Sequence, residues 1–197
     1  MKKIVWTEAD VETSVSVLCE TLVRPGAVAL VPTETVYGLI ARVSDSAAIE
    51  RIFQLKRRPA EKKVGWFAGS IEMVRKYGGI TDDLTGRLVK EFMPGALTLI
   101  VPRADGSSQG FRIPNHRLLL GVLEKLDEPL VQTSANVSGC PDARSCDEAL
   151  KQLAGSVDCA VDGGVLPPDA RGSTVADVTG GKIRILRQGA VDLTNWL

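Results

Sequence analysis

The hydrophobic pattern of this chain alternates between short apolar runs rich in β-branched residues and longer stretches with apolar residues at helical spacing. The helical spacing predicts helices over residues 8–22, 46–54, 81–92, 115–126 and 145–154. The short apolar runs predict strands at residues 27–31, 64–68, 97–101, 130–133, 157–161, 174–178 and 182–186. Because the alternation is irregular and the last two strands follow each other closely, the pattern favours an α/β fold with helices packed on one mixed parallel and antiparallel sheet.

Local signals set the ends of some of these helices. The Pro25-Gly26 pair ends the first helix, because proline disfavours helical geometry in the residue before it and glycine accepts left-handed backbone angles. Thr81 and Asn115 are the expected N-terminal caps of two later helices. Ser145, followed three residues later by Glu148, forms a capping-box signature for the last helix.

Composition and charge mainly exclude certain classes of protein, such as membrane-spanning and secreted ones. Lys plus Arg and Asp plus Glu each number 24, so the chain has no formal net charge, and 44% of its residues are hydrophobic, enough for a substantial core. The longest uninterrupted apolar run, Ala27 to Val31, is far shorter than the ~20 residues of a membrane-spanning helix. The N-terminal stretch also lacks the apolar segment of a secretory signal. We therefore expect a cytoplasmic protein that is one domain over residues 1–197, with no membrane partner and no additional C-terminal domain.

Cysteine and histidine usage bears on metal binding. Cys19, Cys140, Cys146 and Cys159 have no C-x-x-C spacing, so we expect free thiols that mostly serve in packing. His116 is the single histidine, which leaves few soft ligands, and no structural metal is expected. Carboxylate and phosphate oxygens would still suit magnesium.

Polar segments follow several of the predicted elements. Residues 32–38 gather two threonines, a glutamate and a tyrosine after a buried strand, where open α/β sheets place ligands. Residues 56–63 hold five cations after a helix, and residues 134–139 place hydroxyl and amide groups after a strand; both patterns suit an anion. Each segment also has an ordinary interpretation, as a capped turn, a solvated charged face and a polar turn. Arg112 and Arg187, taken singly, are typical of surface arginines.

The familiar catalytic and nucleotide-binding motifs do not account for these segments. Residues 106–110 satisfy the G-x-S-x-G pattern of a hydrolase nucleophile, but the following segment cannot easily begin a helix. His116 lies too close to Ser108 to be the usual downstream base, and is better explained as a loop or helix-start residue. Neither a Walker A sequence nor a G-x-G-x-x-G occurs, so a nucleotide must be held in another way.

A series of short blocks spans residues 27–190 in a fixed order. The blocks are PTETVYGL at 32–39, KRRP at 56–59, PGALT at 94–98, RIP at 112–114, TSANVSG at 133–139, GST at 172–174 and RQG at 187–189. Together they resemble the YrdC/TsaC family, the threonylcarbamoyl-AMP synthases. The combination of K-x-R with S-x-N is distinctive, whereas any single block would be weak.

The resemblance implies a twisted open sheet with a large concave, positively lined cavity. It also implies a nucleotidyltransferase that converts L-threonine, bicarbonate (CO2) and ATP into L-threonylcarbamoyladenylate and pyrophosphate, for the threonylcarbamoyl-adenosine modification of tRNA. ATP would arrive with Mg2+, and a downstream tRNA threonylcarbamoyl-transferase complex would take the product. Such chemistry needs no protein nucleophile; it needs positioning, and cations and oriented donors around the triphosphate.

The resemblance also carries functional roles onto matching positions. It implies contacts to ATP from Lys56, Arg58, Lys62, Ser134, Asn136 and Arg187. Within that set it makes Lys56 and Arg58 the expected catalytic residues, which stabilise the transition state. It assigns the threonine side to Thr33, Thr35, Tyr37, Arg112 and Ser173. Arg112 suits the threonine carboxylate because a guanidinium can pair with it in a bidentate fork.

Two positions depart from the family pattern. Lys63 follows Lys62 where the family commonly has a proline, and Phe67 occupies a strand position where the family often presents a polar contact. The zero net charge gives no global support for a tRNA or RNA contact, which would then depend on a local basic surface. Two alternatives stay open: a non-catalytic module that binds structured RNA in the same hollow, and carbamoyl-adenylate chemistry with another acceptor, as in the related domain of hydrogenase-maturation proteins.

Overall fold

The computed structural model describes residues 1–59 and 61–197, and its strands form one sheet. The strands are β1 Lys2–Val5, β2 Ala29–Val31, β3 Gly38–Arg42, β4 Gly65–Phe67, β5 Leu97–Pro102, β6 Ser108–Arg112, β7 Leu130–Ser134, β8 Cys159–Asp162, β9 Thr174–Asp177 and β10 Arg184–Arg187. The helices are α1 Val11–Leu22, α2 Ser46–Lys56, α3 Ile71–Lys76, α4 Asp83–Phe92, α5 Arg117–Leu126 and α6 Cys146–Gln152. Among the described residues, no helix combines the length and apolar character needed to cross a bilayer.

The sheet is mixed, as the sequence pattern predicts. Its strand order is β1-β8-β2-β3-β7-β4-β6-β5-β9-β10. The pairs β1–β8, β8–β2, β4–β6 and β5–β9 are parallel. The pairs β2–β3, β3–β7, β7–β4, β6–β5 and β9–β10 are antiparallel. Strands that are distant in sequence therefore become neighbours, which brings the polar segments at their ends together.

Helices cover the two faces of the sheet unequally. One face packs against α2 and α4 through an apolar cluster that includes Ile52, Leu88 and Phe111. The other face packs against α1 and α5 through a cluster that includes Leu18 and Val122. The strand residues of this second cluster come from β2, β3, β4, β7 and β8. The described parts of β5, β6 and β9 contribute none, so this face is left partly open.

The structure confirms every predicted helix and strand, with ends that shift by a few residues, and adds four elements. The additional elements are β1, β3, β6 and α3. Each is short, and β1 and β6 carry polar residues where a buried strand would have apolar ones. Short elements of this kind are stabilised by their neighbours in the sheet and not by a periodic pattern of their own.

One predicted cap is confirmed and another is wrong. Ser145 caps α6, since its hydroxyl accepts the backbone N–H of Glu148 at 3.2 Å. Thr81 does not cap α4; the N-cap is Asp82, and the Thr81 hydroxyl instead accepts a hydrogen bond from Nε of Arg75 at 2.7 Å. A carboxylate one residue later therefore takes the capping position, which is among the strongest N-cap preferences.

Asn115 is likewise not the cap of α5. The N-cap is His116, whose side chain makes no capping bond, and Asn115 N–H donates to Oε1 of Glu34 at 3.0 Å. The His116 ring lies 4.6 Å, centroid to centroid, from the ring of Trp6. The prediction that His116 is a helix-start residue is confirmed, and its neighbour Asn115 ties α5 to the loop between β2 and β3.

All four cysteines are free thiols, as predicted. Cys19, Cys146 and Cys159 are buried, and burial raises the pKa of each thiol. These three are therefore inert packing residues at neutral pH. Cys140 is exposed and follows the turn at the end of β7.

Candidate active site

A cavity of about 340 Å³ lies on the sheet face that α1 and α5 leave partly open. Alternate residues of neighbouring strands line it: Gly65 and Phe67 on β4, Gly110 and Arg112 on β6, and Thr98 and Ile100 on β5. Alternate residues of a strand point to the same face, so this spacing places the cavity on one side of the sheet. Phe67 also belongs to the apolar cluster beneath α1 and α5, which identifies that side.

The charge of the cavity wall is positive. Among the described lining residues the cations are Arg58, Lys63, Arg112 and Arg187, and the single carboxylate belongs to Asp142. Low-dielectric walls lined by one sign of charge concentrate ions of the opposite sign. The cavity therefore suits an anionic ligand, although the chain as a whole has no formal net charge.

Arg112 is the most deeply buried of these cations, with 3% of its surface exposed. Its Nη1 donates to the Thr35 hydroxyl at 2.9 Å, and its Nη2 lies 3.5 Å from Oε2 of Glu34. Its guanidinium carbon lies 4.8 Å from the centre of the Phe67 ring. Burial lowers the pKa of Arg112, Glu34 opposes that shift and the nearby Arg187 adds to it. Its Nε has no hydrogen-bond partner among the described residues.

The loop between β2 and β3 orders the hydroxyls that face Arg112. The Thr33 hydroxyl donates to the carbonyl of Val36 at 2.8 Å and accepts the N–H of Thr35 at 3.0 Å. The two threonine hydroxyl oxygens lie 2.9 Å apart. Both threonines are buried and line the cavity, so they form a fixed hydroxyl pair beside the guanidinium.

Tyr37 lies at the wall of the cavity, and its hydroxyl bonds to another part of the chain. The hydroxyl donates to the carbonyl of Gly164 at 2.7 Å and accepts the N–H of Gly163 at 2.9 Å. Burial raises the pKa of Tyr37 to about 12, so the phenol is protonated at neutral pH. Tyr37 thus fastens the chain after β8 to the wall of the cavity.

Ser173 joins three strands at the far end of the cavity. Its hydroxyl oxygen lies 2.8 Å from that of Thr98 on β5, and both side chains are buried. Arg187 at the end of β10 donates through Nη2 to the Ser173 carbonyl at 2.9 Å and to its hydroxyl at 3.3 Å. The Arg187 guanidinium therefore contacts Ser173, which the family resemblance assigns to the threonine substrate, and it also lines the cavity.

The two cations of the K-x-R segment point in different directions. Lys56 is the last residue of α2, and Arg57 ends the helix with a left-handed backbone at φ 48°. Lys56 is 1% exposed and is absent from the described cavity lining, whereas Arg58 lines the cavity and donates through Nη2 to the carbonyl of Lys63 at 2.8 Å. The left-handed residue between them separates an internal lysine from an arginine that faces the cavity.

Lys56 reaches the turn that follows β7. Its Nζ donates to the backbone carbonyl of Ser134, to the carbonyl of Asn136 at 2.6 Å and to Asn136 Oδ1 at 3.2 Å. Burial and the charge of Arg58 lower the pKa of Lys56 to about 8, and the charge of Asp142 opposes that shift. Lys56 is therefore a cation at neutral pH, held by oxygen acceptors of one turn.

The predicted site residues occupy three kinds of position relative to the cavity. The structure brings most of them to the same cavity wall, namely Thr33, Thr35, Tyr37, Arg58, Arg112, Ser134, Ser173 and Arg187. Lys56 and Asn136 lie buried behind the wall, and Lys62 is exposed outside the described lining. Eight of the eleven predicted residues therefore share one cavity wall.

Sequence reasoning missed some residues of the wall. Thr98, Asp142 and Lys63 line the cavity, yet the sequence assigns no individual role to Thr98 or Asp142 and presents Lys63 only as one of five clustered cations and a departure from the family pattern. Thr98 was detectable, because it is the polar residue of an otherwise apolar strand. Lys63 donates through Nζ to the hydroxyl of Ser108 at 3.1 Å, which ties the segment after α2 to β6.

The G-x-S-x-G segment is not a nucleophile turn. Ser108 begins strand β6 after a turn in which Gly106 has φ 78°, and it precedes no helix. Its hydroxyl accepts from Lys63, while His116 stacks on Trp6. The rejection of a serine hydrolase is therefore supported by the local structure.

Comparison with known proteins assigns the chain and its fold to a family. The sequence model of the Sua5, YciO and YrdC proteins, which bears the description "Telomere recombination", matches residues 21–189. The chain belongs to the Sua5/YciO/YrdC family. Its site residues occupy the blocks by which the sequence resembles the YrdC/TsaC threonylcarbamoyl-AMP synthases.

Relatives within the Sua5/YciO/YrdC family carry related names. The chain is 32% identical over 180 residues to the threonylcarbamoyl-AMP synthase of Pyrococcus abyssi, an alignment that covers 87% of this chain and 53% of the relative. It is 33% identical over 199 residues to the threonylcarbamoyl-AMP synthase of Mus musculus, covering 93% of this chain and 68% of the relative. The chain thus spans about half the length of the archaeal relative.

Solved structures of the family share this fold. Pyrococcus abyssi Sua5 complexed with L-threonine superimposes with a TM-score of 0.83 at 29% identity, over 98% of this chain and 58% of that one. Escherichia coli YciO superimposes with a TM-score of 0.85 over 100% of this chain and 98% of its own; at 23% identity this likeness concerns the fold alone. The mixed sheet with its helices is therefore the family architecture.

Proposed function

We propose that this protein is a threonylcarbamoyl-AMP synthase. It forms L-threonylcarbamoyladenylate and pyrophosphate from L-threonine, bicarbonate (CO2) and ATP, which makes it a nucleotidyltransferase. The names of its relatives and the L-threonine complex of Pyrococcus abyssi Sua5 support this proposal.

One observation carries the proposal: a single cavity holds both a buried guanidinium beside ordered hydroxyls and a set of further cations. Arg112, with Thr35 bound to Nη1 and its Nε unpartnered among the described residues, suits the carboxylate of an amino acid. Arg58, Lys63 and Arg187 on the same wall suit the phosphates of a nucleotide. An amino acid and a polyphosphate in one hollow are the two reactants that this reaction must join.

The chemistry explains why the wall carries these residue types. The threonine amine adds to CO2, losing a proton to form a carbamate; a carbamate oxygen then attacks the α-phosphorus of ATP as the bond to pyrophosphate breaks. Negative charge develops on the transferred and leaving phosphates. Arg58 and Arg187 stabilise that charge, Arg112 anchors the carboxylate, and Ser173 and Thr98 form a hydroxyl pair next to Arg187.

Magnesium fits this wall as an ion delivered with ATP. Asp142 is the single carboxylate among the described lining residues, which is too few for an all-protein magnesium cage but enough for one contact through water. When bound to the phosphates, the ion would neutralise part of their charge. The residues of this chain hold and orient the two substrates and neutralise the rest of the phosphate charge.

The product implies further partners. We expect the adenylate to pass to a tRNA threonylcarbamoyl-transferase complex in the cytoplasm, where the threonylcarbamoyl group modifies adenosine. A direct tRNA contact would use exposed cations beside the site, such as Arg57 and Lys62. Such a contact would be weak and dependent on salt, because the chain has no formal net charge.

Pyrophosphate release tests the proposed function directly. Purified protein is incubated with ATP, Mg2+ and bicarbonate, with and without L-threonine, and pyrophosphate and labelled threonylcarbamoyl-AMP are measured. We expect both products only when threonine is present. Release that does not depend on threonine would overturn the proposal and would favour carbamoyl-adenylate chemistry with another acceptor. Salt-sensitive binding of structured RNA without any turnover would favour the RNA-binding alternative.

A further inference from the structure

We propose that Lys56 is a positioning residue that orients the carboxamide of Asn136 and thereby makes the Ser134 hydroxyl a hydrogen-bond acceptor toward the cavity. The proposal deepens the proposed function, on which it rests, by naming the chemistry of one contact. The substrate group that meets Ser134 must be an N–H or O–H donor, such as a ribose hydroxyl of the nucleotide or the amino group of threonine. It also assigns Lys56 a role other than direct contact with phosphate.

The ammonium of Lys56 has no proton left for a substrate. An ammonium carries three N–H donors and no acceptor. Nζ of Lys56 donates to the carbonyl of Ser134, to the carbonyl of Asn136 at 2.6 Å and to Asn136 Oδ1 at 3.2 Å. The residue is 1% exposed, and these three oxygens are the hydrogen-bond partners of its ammonium among the described residues. A phosphate contact would require one of these bonds to break.

The orientation of the Asn136 carboxamide follows from its two neighbours. Its Oδ1 faces the Lys56 ammonium, which can only donate, and its Nδ2 lies 2.5 Å from the carbonyl of Cys140, which can only accept. Exchanging the oxygen and nitrogen would lose both bonds. The side chain is 6% exposed, so water does not offer a substitute.

The fixed carboxamide determines the direction of the Ser134 hydroxyl. Ser134 Oγ lies 2.6 Å from Asn136 Oδ1, and that oxygen can only accept. The one hydroxyl proton of Ser134 therefore points to Asn136. Ser134 lines the cavity, so what it offers to a ligand is a lone pair. A phosphate oxygen, which is itself an acceptor, is the wrong partner for this group.

The backbone of α2 holds the same turn from the other end. The carbonyl of Lys56 accepts the N–H of Ser138 at 2.9 Å. One residue at the end of a helix thus fixes the turn at Ser134, Asn136 and Ser138. This arrangement explains how a lysine without a place in the described cavity lining can matter to the site.

The test compares five variants: Lys56→Met, Ser134→Ala, the double variant Lys56→Met/Ser134→Ala, Arg58→Met and the control Lys90→Met. Lys90 lies in the last turn of α4, as Lys56 does in α2, but it is exposed and outside the site. Affinities for AMP and ATP are measured by calorimetry, and kcat and KM by pyrophosphate release. Circular dichroism and thermal unfolding verify that each variant is folded.

The expected result is a distinctive pattern. Lys56→Met lowers kcat/KM by roughly 100-fold through misplacement of the turn, while the ratio of the AMP and ATP dissociation constants stays within about twofold of wild type. Arg58→Met changes that ratio, because it loses a contact to the phosphate chain. The double variant Lys56→Met/Ser134→Ala is within about twofold of the worse single variant, because both changes remove the same contact. Lys90→Met behaves as wild type.

Two outcomes would overturn the proposal: a change in the AMP to ATP ratio in Lys56→Met as large as that in Arg58→Met, or losses that multiply in the double variant. If Lys56→Met does not fold, Asn136→Ala takes its place in the same double-variant comparison. Binding of deoxy-AMP analogues and of threonine distinguishes the two candidate donors to Ser134. If a ribose hydroxyl donates, Ser134→Ala lowers the affinity for AMP but not for the deoxy analogue. If the threonine amine donates, Ser134→Ala lowers the affinity for threonine. Loss of neither affinity would also refute the donor contact. A wild-type protein that binds AMP but releases no pyrophosphate would refute the proposed function, while the binding measurements would still test Lys56.

Discussion

Lys56 and Arg58 are two positions apart, yet they meet opposite surroundings. Lys56 is enclosed by backbone and carboxamide oxygens, whereas Arg58 lines the cavity and has an Nε without a partner among the described residues. Burial lowers the pKa of Arg58, but a guanidinium stays charged under all conditions in which proteins fold. Arg58 is therefore the cation that is available to charge developing on a substrate.

Replacement of Arg58 tests that availability. We expect Arg58→Ala to reduce kcat/KM by the equivalent of ~2–4 kcal/mol of transition-state stabilisation, the usual effect of removing a donor to developing negative charge. Steady-state pyrophosphate release measures it. Arg75→Ala, which removes a surface arginine of α3, is the matched control. Activity of Arg58→Ala within about twofold of the control would contradict the role assigned to Arg58.

A second prediction at this scale concerns pH. Burial, together with the charge of Arg58 and against that of Asp142, lowers the pKa of Lys56 to about 8. Above that pH the Lys56 amine is neutral and has two N–H donors, so it can no longer donate a hydrogen bond to all three oxygens. We expect the affinity for AMP to fall as pH rises from 7 to about 9.5, with a one-proton dependence, whereas Lys56→Met is weak and flat over the same range. AMP is the appropriate probe because its phosphate titrates near pH 6, below this window. A flat wild-type profile would count against the network.

At the scale of elements, the end of β10 is held by a close approach of two backbone segments. A side chain at Gly189 would place its Cβ 2.3 Å from the carbonyl oxygen of Gly172. Gly189 N–H donates to the Thr174 hydroxyl at 3.0 Å, which fixes the same contact. Arg187 is two residues away, so this approach determines where its guanidinium meets Ser173.

Gly189→Ala should therefore damage both stability and the site. We expect a loss of about 1–3 kcal/mol in the free energy of unfolding, as for other overpacked positions, and weaker ATP binding because Arg187 is displaced. Urea denaturation and calorimetry measure the two effects. Gly180→Ala is the control, since a Cβ at Gly180 meets no atom within 4 Å. Equal stability of the two variants would show that the backbone at Gly189 adapts without cost.

The same scale shows what the sequence predicts and what it does not. Periodicity located every long helix and most of the buried strands, because those elements depend on apolar spacing, but it missed the buried strand β3. It missed β6, whose residues are largely polar and whose pairing comes from β4 and β5. It also could not place Lys56: burial of a lysine depends on oxygens contributed by Ser134 and Asn136, which lie 78 and 80 residues away in sequence. The family resemblance therefore named the candidate site residues, and the folded chain separated those at the cavity wall from those behind it.

At the scale of the whole molecule, strands β3 to β7 and β9 to β10 bring both halves of the chain to one cavity. Arg187 is bound to Ser173, and its charge is felt by Arg112. The charges of a carboxylate at Arg112 and of a polyphosphate at Arg187 would therefore influence each other across the cavity. The chain has no formal net charge, so this positive region is local and is balanced elsewhere on the surface.

Such an arrangement predicts energetic coupling between the two substrates. We expect a non-hydrolysable ATP analogue to tighten L-threonine binding by about 5- to 150-fold, and threonine to tighten the analogue by the same factor. Calorimetric titrations in both orders measure it. Arg187→Ala should reduce the coupling toward a factor of one, whereas Arg184→Ala, on the same strand and paired with Asp177, should leave it unchanged. Independent binding in the wild-type protein would contradict a shared cavity.

The exposed Cys140 has a practical consequence for such measurements. The other three thiols are buried, so a maleimide dye should attach at this single position of the unmodified protein. The carbonyl of Cys140 accepts Nδ2 of Asn136 at 2.5 Å, which couples the labelled residue to the turn beside the cavity. A fluorophore there would report ligand arrival in real time, without any engineered cysteine.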